Sequence, residues 1–591
     1  MSFDAWLTII VIGLMLIGLI KDYYPADVLT FSALCVLTVC GVIKPEDALK
    51  GFSNKGMFTV ALLFPIAYAA QSSGVLNHAA GALIGRAKAG KTAMVRMMLP
   101  VFGLSTFLNN TPVVAMFIPT VRDWAVSAKI SPSKFLIPVS YASILGGICT
   151  LIGTSTNLVA NGMLMSAKGI SLKMFDFAYI GIPCAIAGFL YLTFIGRRFL
   201  PDNTDMLADM ETDESEFIFE MKVTAESDII GKSLSEGNLR KLNDIFAVGI
   251  NRHGSIISPV KPDEVVELDD VIFFSGKKDA MKLLSSVKGL IPHTHQEDDF
   301  NSLMNGKKTK LVEAVVSVAS SVINKKIKDV NFRGRYDAVV LAIKRDGRKL
   351  DTGLGGTVLK SGDTILLLAG ADFSKRVDSS DFYLLSKTEN IVPVDNRKVW
   401  ITVLSLVSMI VLSAAGILDI FYGAMIVFAI LLLSRTLTAS EARRSIEINV
   451  LIVIASSFGL GIAIEKTGLA SMIAGSVIEY SAGWGLVGAL AAVSLAVTLL
   501  TELITNNAAV ALVFPVAMSV ADKADASPIP FALAVAIAAS ASFATPIGYQ
   551  TNLMVQGPGG YKFSDYLKIG VPMNLIYFVV SVLLIPVFFK F

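Results

Sequence analysis

The stretches that decide the fold are LSTFLNNTPVV at residues 104–114 and ELITNNAAVAL at residues 502–512. Each places two adjacent asparagines in the middle of a long apolar segment, where an unpaired amide is costly to bury. Each is followed by a polar, glycine-containing stretch, GTSTN at 153–157 and ATPIGYQTN at 544–552. The recurrence of both features in the same order predicts two repeats, each with a hairpin and a broken helix.

The composition indicates a membrane protein. Of the 591 residues, 53% are hydrophobic and only 17% are charged, whereas soluble domains have about 25% charged residues. The formal net charge of +3 gives no sign of a basic nucleic-acid surface. The four cysteines lack CxxC spacing and are interpreted as small core residues. No P-loop, triad or metal-ligand spacing indicates an enzyme.

Apolar segments define two membrane regions, residues 1–200 and 398–591. The first is predicted to contain Ala5–Ile20, Ala26–Val42, Met57–Ala70, a re-entrant hairpin Met94–Ala128, a broken helix Phe135–Met165, and Phe177–Phe194. The second is predicted to contain Val399–Ile417, Tyr422–Leu437, Val450–Ile464, a hairpin Ala470–Val520, a broken helix Phe531–Val555, and Ile569–Phe589. Five crossings per region make the second region inverted relative to the first. The distribution of basic residues places the segment between the regions in the cytoplasm.

That segment is a soluble insert with an internal repeat, one unit in residues 201–300 and one in 301–397. Each unit has a strand that ends in a basic residue and a turn, IFAVGINRHG at 245–254 and AVVLAIKRDG at 338–347. Each closes with an acidic residue and a further strand. The linker between them includes HTHQEDDF at 293–300, whose two histidines lack a third ligand and do not predict a metal site.

The tips and broken helices resemble the divalent anion:sodium symporter family, where the corresponding motifs typically read Ser-Asn-Thr and Gly-Thr-Pro-Pro-Asn. The insert resembles a tandem of TrkA-C domains, so the similarity is to the subgroup with that insert and covers nearly the whole chain. It implies a polytopic α-helical protein of the bacterial inner membrane, with two inverted repeats and an α+β cytoplasmic insert. It also implies a homodimer and sodium-coupled symport of a small divalent anion by an elevator-type mechanism.

This chain departs from the family motifs in several places. Asn109 and Asn506 stand where the tip motif begins with serine, and Ala508 replaces its second threonine. Glu502 aligns with Ser105 of the first half. Fewer hydroxyls in the tips favour an inorganic anion such as sulfate, and a dicarboxylate stays open.

The resemblance implies two sodium sites and one anion site, with no organic cofactor. Amide and backbone oxygens suit sodium, and free N–H groups at half-helix N-termini suit an anion. The first sodium site would comprise Ser105, Asn109, Asn110 and Gly153. The second would comprise Glu502, Asn506, Asn507 and Ala544. The anion would meet Asn110, Thr111, Thr154, Asn157, Asn507, Thr545, Pro546 and Asn552.

Other functions stay open at this point. A carboxylate at Glu502 within a membrane segment also fits a cation/proton antiporter or a metalloid exporter of the same wider superfamily. A channel is disfavoured because the chain has no TVGYG-like filter. The simplest alternative is that the asparagine pairs only pin the hairpins through hydrogen bonds.

The TrkA-C resemblance implies that the insert is regulatory and binds a small molecule, for example a cyclic dinucleotide. A phosphate of such a ligand would meet basic groups of the insert. The candidates are Lys232, Arg252, Lys326 and Arg345.

Overall fold

The protein is mostly helical, with two helical regions on either side of two antiparallel sheets. The computed structural model describes residues 1–21, 23–72, 91–203, 218–234, 236–237, 246–253, 255–258, 260, 263–275, 284, 287–293, 310–317, 320–345, 348–350, 354–377, 381–384 and 396–591. Of the predicted linker 293–300, only His293 is described, and residues 294–300 lie outside the described residues.

The first helical region is interrupted at both polar stretches singled out above. Its helices are α1 (Phe3–Ile20), α2 (Ala26–Val39), α3 (Pro45–Leu49), α4 (Lys55–Ser72), α5 (Lys91–Ser105), α6 (Asn110–Ser127), α7 (Leu136–Gly147), α8 (Ser155–Lys168) and α9 (Ala178–Phe194). Residues 106–109 separate the two arms of the first hairpin, α5 and α6. Residues 148–154 separate α7 from α8, the two halves of the first broken helix.

The insert contains two sheets. Its strands are β1 (Ile218–Val223), β2 (Phe246–Arg252), β3 (Ser255–Ile257), β4 (Val271–Ser275), β5 (Leu290–Pro292), β6 (Lys310–Val316), β7 (Ala338–Arg345), β8 (Arg348–Lys349), β9 (Thr364–Ala369) and β10 (Phe382–Leu384). The strand orders are β3-β2-β4-β1-β5 and β8-β7-β9-β6-β10, which are the same order in two successive units. Both also have a register irregularity in the second strand, between Ala247 and Gly249 and between Val340 and Ala342. Three short helices accompany the second sheet: α10 (Ile327–Val330), α11 (Phe332–Tyr336) and α12 (Phe373–Arg376).

The second helical region repeats the pattern of interruptions. Its helices are α13 (Asn396–Ala414), α14 (Ile420–Leu433), α15 (Ala439–Ser445), α16 (Ile448–Lys466), α17 (Leu469–Ser481), α18 (Gly485–Thr501), α19 (Asn506–Lys523), α20 (Pro528–Ser540), α21 (Gln550–Gln556) and α22 (Phe563–Phe588). The stretch 470–520, predicted as a two-armed hairpin, contains three helices. The extra break occurs at Gly485, whose φ of +58° lies in the left-handed region that favours glycine.

The two helical regions share one hydrophobic core. Helix α2 packs against α16, α8 against α19 and α20, and α9 against α22. The short helix α21 packs against α6 and α7. The interruptions of the two regions are thereby brought next to each other. Cys149 and Cys184 lie in this interior as predicted, whereas Cys35 and Cys40 are exposed on the outer face of the bundle.

Some of these helices have the length and composition of membrane spans. Within the described parts of the chain, five are long and apolar enough to cross a membrane: Phe3–Ile20, Ala178–Arg198, Asn396–Ala414, Ile448–Lys466 and Phe563–Phe588. The protein is therefore an integral membrane protein. The predicted number of crossings per region stays a prediction.

Candidate functional site

The paired asparagines lie at two hairpin tips of equal length. Helix α5 ends at Ser105 and α6 begins at Asn110, with Asn109 as its N-cap. In the second region α18 ends at Thr501 and α19 begins at Asn506. Each tip therefore consists of four residues, and the first helical residue after each tip is an asparagine.

This geometry fixes the correspondence between the halves. Asn506 is the counterpart of Asn110, and Glu502 is the counterpart of Thr106. The sequence alignment that pairs Glu502 with Ser105 is therefore wrong by one residue. The reason is that the N-cap of α19 is Thr505, so the asparagine pair begins one position later relative to its helix than in the first half.

The first break is held by a compact set of hydrogen bonds. The Oγ1 atom of Thr150 donates to the backbone oxygen of Thr106 in the tip. The same Oγ1 atom accepts from the backbone N–H of Gly153, with 3.1 Å between the heavy atoms. The side-chain Nδ2 of Asn157 donates to the backbone oxygen of Thr150 at 2.8 Å. These bonds tie the tip, the break and the start of α8 together.

The second break has the same hydrogen bonds. Thr545 Oγ1 donates to the backbone oxygen of Glu502 at 3.1 Å and accepts from the N–H of Gly548 at 3.1 Å. Asn552 Nδ2 donates to the backbone oxygen of Thr545 at 3.2 Å and to that of Ser542 at 2.8 Å. The two breaks are therefore built on one local design.

The match between the two breaks is also visible in their sequences. The breaks read TLIGTSTN at 150–157 and TPIGYQTN at 545–552, which share threonine, isoleucine, glycine, threonine and asparagine at the same spacings. Gly548, and not Ala544, is thus the counterpart of Gly153. A side chain is excluded at both glycines. A Cβ at Gly153 would overlap the backbone oxygen of Gly147, and one at Gly548 would overlap Ser542 Oγ.

Three buried oxygens near the first tip and the first break have no hydrogen-bond partner among the described residues: Ser105 Oγ, Asn110 Oδ1 and Asn157 Oδ1. Ser105 and Asn110 flank the first tip, and Asn157 lies in the helix after the first break. Unsatisfied buried oxygens are costly, and neutral oxygens are suitable ligands for a hard cation. The donor set of the first half therefore fits sodium.

The second half supplies a carboxylate instead. Glu502 Oε1 accepts from the backbone N–H of Ala544 at 2.9 Å and from Asn574 Nδ2 at 2.7 Å. Its other oxygen, Oε2, is buried and has no hydrogen-bond partner in the described part of the chain. Asn506 differs from Asn110 in that its Oδ1 accepts from Thr501 Oγ1 at 2.9 Å. Asn574 of α22 was not predicted, because no polar stretch marks it in the sequence.

Several predicted site residues join the two halves. Asn507 Oδ1 accepts from Ser155 Oγ at 3.2 Å, and Asn552 Oδ1 accepts from Ser140 Oγ at 2.7 Å. Tyr549, another residue that was not predicted, reaches from the second break to Asn110, with 2.6 Å between Nδ2 and the phenol oxygen. The remaining predicted residue of the second break, Pro546, is buried and offers no polar side-chain atom.

A cavity lies beside the first tip. Its polar lining includes Asn109, Thr154 and Ser155, together with the backbone at Gly153. Helix α8 begins at Ser155, so its free N–H groups and positive dipole end are next to this cavity. The rest of the wall is apolar: Val60, Leu63, Phe64, Ile66, Ala67, Phe107, Leu108, Ile152, Leu158 and Leu406. The cavity therefore combines an apolar wall with donors for an anion.

The second sheet of the insert packs directly against the site. Tyr383 of β10 accepts from Gln550 Nε2 at 2.6 Å, and Gln550 Oε1 accepts from Thr111 Oγ1 at 2.9 Å. Glu313 of β6 forms a buried ion pair with Arg122 of α6. Burial raises the pKa of Tyr383 to about 12, so its hydroxyl is neutral at physiological pH. The insert thus contacts one arm of the first hairpin and the helix after the second break.

Two of the basic residues considered for a phosphate are occupied within their own sheets. Arg252 Nε and Nη2 donate to the two carboxylate oxygens of Asp270 at 3.0 and 2.9 Å. Arg345 makes the same bidentate pair with Asp363, at 2.6 Å for both bonds. The two other candidates have exposed side chains: Lys232 and Lys326.

Comparison with known proteins agrees with this architecture. The family model described as citrate transporter matches residues 7–536 and 490–591. The chain belongs to this citrate transporter family. It is 34% identical over 582 residues, 97% of this chain and 100% of the relative, to a Chlamydomonas reinhardtii protein named as a regulator of the sulfur deprivation response.

Two further relatives of the chain are named as transporters. An uncharacterized transporter of Synechocystis is 30% identical, covering 98% of this chain and 96% of the relative. Sodium/sulfate cotransporter 1 of Chlamydomonas reinhardtii is 24% identical, covering 98% of this chain and 89% of the relative. These findings point to a transporter and not to an enzyme.

Proposed function

We propose that the protein is a sodium-coupled symporter of a small divalent anion, with sulfate as the favoured substrate. It works by elevator-type alternating access, as two inverted repeats in a homodimer, with the insert on the cytoplasmic side as a regulatory pair of TrkA-C-like domains. The relative named as a sodium/sulfate cotransporter and the one named for the sulfur deprivation response support this choice of anion and ion.

One observation carries the proposal: the two breaks repeat the same hydrogen-bonded turn next to an asparagine-bearing tip. Around the first tip and the first break, three buried oxygens have no partners among the described residues. The turn in the first half also sets the start of α8 against the cavity. A cation held by the oxygens would lie close to an anion held by the helix end, which provides a physical basis for coupling the two.

Uptake into proteoliposomes tests this function. Purified protein should accumulate labelled sulfate only when a sodium gradient is imposed, and thiosulfate should compete better than succinate or malate. Stronger competition by succinate or malate would move the assignment to a dicarboxylate. Uptake that is indifferent to sodium would refute the symport proposal.

A second candidate, cation/proton exchange, is favoured by Glu502. Its Oε2 is buried, and the carboxylate is part of the second tip. Such a group can carry a proton across the membrane. An imposed pH gradient that drove sodium movement without any anion would establish this candidate in place of symport.

The contacts of the insert support its regulatory role. A ligand regulates transport only if it binds one transport state better than another. The bond between Tyr383 and Gln550 and the pair Arg122–Glu313 are places where such a preference can reach the site. Arg252 and Arg345 are paired with aspartates of the insert, so a phosphate ligand would contact Lys232 and Lys326 instead.

Variants at this interface test the role. Tyr383→Phe removes one hydrogen-bond partner of Gln550, so we expect the uptake rate to change about two- to tenfold at an unchanged sodium requirement. Tyr422→Phe, on an exposed face of α14, is the matched control. Deletion of residues 216–385, combined with Arg122→Gln to avoid an unpaired buried charge, should keep sodium-dependent binding. A folded deletion variant that bound no substrate would contradict the regulatory role.

A further inference from the structure

Tyr549 belongs to the second break, but its hydroxyl lies among the polar groups of the first half. The phenol oxygen accepts from Asn110 Nδ2 at 2.6 Å and lies 3.3 Å from Thr154 Oγ1. The side chain is 8% exposed. Tyr549 therefore fills the space between the first tip and the first break.

The first half has a much smaller residue at the matching position. Within the shared pattern TxIGxxTN, the counterpart of Tyr549 is Thr154. Both residues are the N-caps of the helices that follow, with φ,ψ of −144°, 149° at Thr154 and −136°, 132° at Tyr549. The backbone is thus the same, and only the side chain differs between the halves. A threonine at 549 is too short to reach Asn110.

We propose that Tyr549 determines which anions this transporter accepts, an inference that rests on the proposed function. The ring closes the space next to Thr154, which lines the cavity beside the first tip. With the ring in place, we expect the site to accept a tetrahedral dianion and to exclude the second carboxylate of a longer dicarboxylate. A threonine at this position would extend the cavity towards Asn110.

The hydroxyl has a separate task. Because the Asn110 amide donates to the phenol oxygen, the phenol keeps its own hydrogen for an acceptor. Thr154 Oγ1 is one acceptor in reach, and an oxygen of a bound dianion would be a stronger one. The same bond turns the Asn110 Oδ1 atom away from Tyr549. That oxygen is one of the three without a partner in the described residues, and it stays available to the cation.

Two substitutions of Tyr549 distinguish the effect of its ring from the effect of its hydroxyl. Tyr549→Phe keeps the ring, so we expect it to raise KM for sulfate and for sodium about tenfold while still rejecting succinate. Tyr549→Thr removes the ring, so we expect succinate to become a competitor of sulfate uptake, with at least a tenfold gain in relative affinity. Tyr191→Phe is the control, since it removes a buried phenol hydroxyl that bonds only to the backbone oxygen of Ile569 among the described residues.

The experiment is labelled-sulfate uptake by the reconstituted full chain under a sodium gradient, with succinate and thiosulfate as competitors. If succinate competed with sulfate uptake no better in Tyr549→Thr than in the wild type, the proposal that the ring excludes succinate would be refuted. If Tyr549→Thr failed to fold, Tyr549→Phe decides, because wild-type KM values for both sulfate and sodium would overturn the inference. A wild-type protein that took up no sulfate would overturn the proposed function as well.

Discussion

The two breaks have the same turn and different side chains around it. The threonine, glycine and asparagine that hold the turn are common to both, with the same hydrogen bonds. Two of the differences bear on the proposed ligands: Thr106 against Glu502 in the tips, and Thr154 against Tyr549 before the following helices. The turn is therefore a shared scaffold, and the side chains around it differ chemically between the halves.

Under the proposed function, this difference would give each half a different kind of cation ligand. The first half offers neutral oxygens of Ser105, Asn110 and Asn157, without charge. The second offers a carboxylate oxygen of Glu502, while its tip asparagine is already hydrogen-bonded to Thr501. Substitutions at matched positions should therefore have equal effects in the scaffold and unequal effects in the ligands.

The largest effect is expected in the scaffold. Gly153→Ala and Gly548→Ala should each abolish uptake, because a Cβ would overlap a backbone oxygen in the first case and Ser542 Oγ in the second. Gly103→Ala is the control, since a Cβ there has no neighbour within 4 Å. Normal uptake by either break variant would show that the turn is not needed in that half.

The next largest effects are expected from substituting the asparagines beside the tips. Asn110→Ala removes a proposed cation ligand and the partner of Tyr549. We expect a cost of about 1–3 kcal/mol, which is roughly ten- to a hundredfold in sodium affinity. Asn506→Ala and Asn507→Ala should cost about fivefold or less, because their amide oxygens already have partners in Thr501 and Ser155. Sodium-dependent thermal stabilisation of the purified variants measures this order. A larger loss in Asn506→Ala would reverse the roles of the halves.

A smaller effect than that of Asn110→Ala is expected from removing the charge of Glu502 alone. Glu502→Gln retains an oxygen for the N–H of Ala544 and for Asn574. We expect sodium affinity to fall about tenfold at most, with a less steep dependence of uptake on sodium concentration. An unchanged steepness would remove Glu502 from the cation ligands.

The segments that form the candidate site could be predicted from the sequence. Two asparagines in an apolar run are costly unless they have partners, and the repeat of that pattern pointed to both tips and both breaks. The register between the halves could not be predicted from the asparagines, because Asn109 and Thr505 are both good N-caps. The shared TxIGxxTN pattern gives the register that the structure has.

Contacts between distant segments were beyond sequence reasoning. The reach of Tyr549 to Asn110 depends on how α21 packs against α6, which no local pattern encodes. The same holds for Asn574 and for the ion pair Arg122–Glu313. The pairs Arg252–Asp270 and Arg345–Asp363 within the insert do have a signal in the sequence, because the two residues of each pair are 18 positions apart in both units.

The number of sodium ions that accompany each anion tests the account most directly. If each half holds one cation, two sodium ions move with one sulfate, and their charges cancel. Uptake into proteoliposomes should then be insensitive to an imposed membrane potential, and net flux should stop at a sulfate ratio equal to the square of the opposing sodium ratio. A flux that stopped at a ratio independent of sodium would contradict the account.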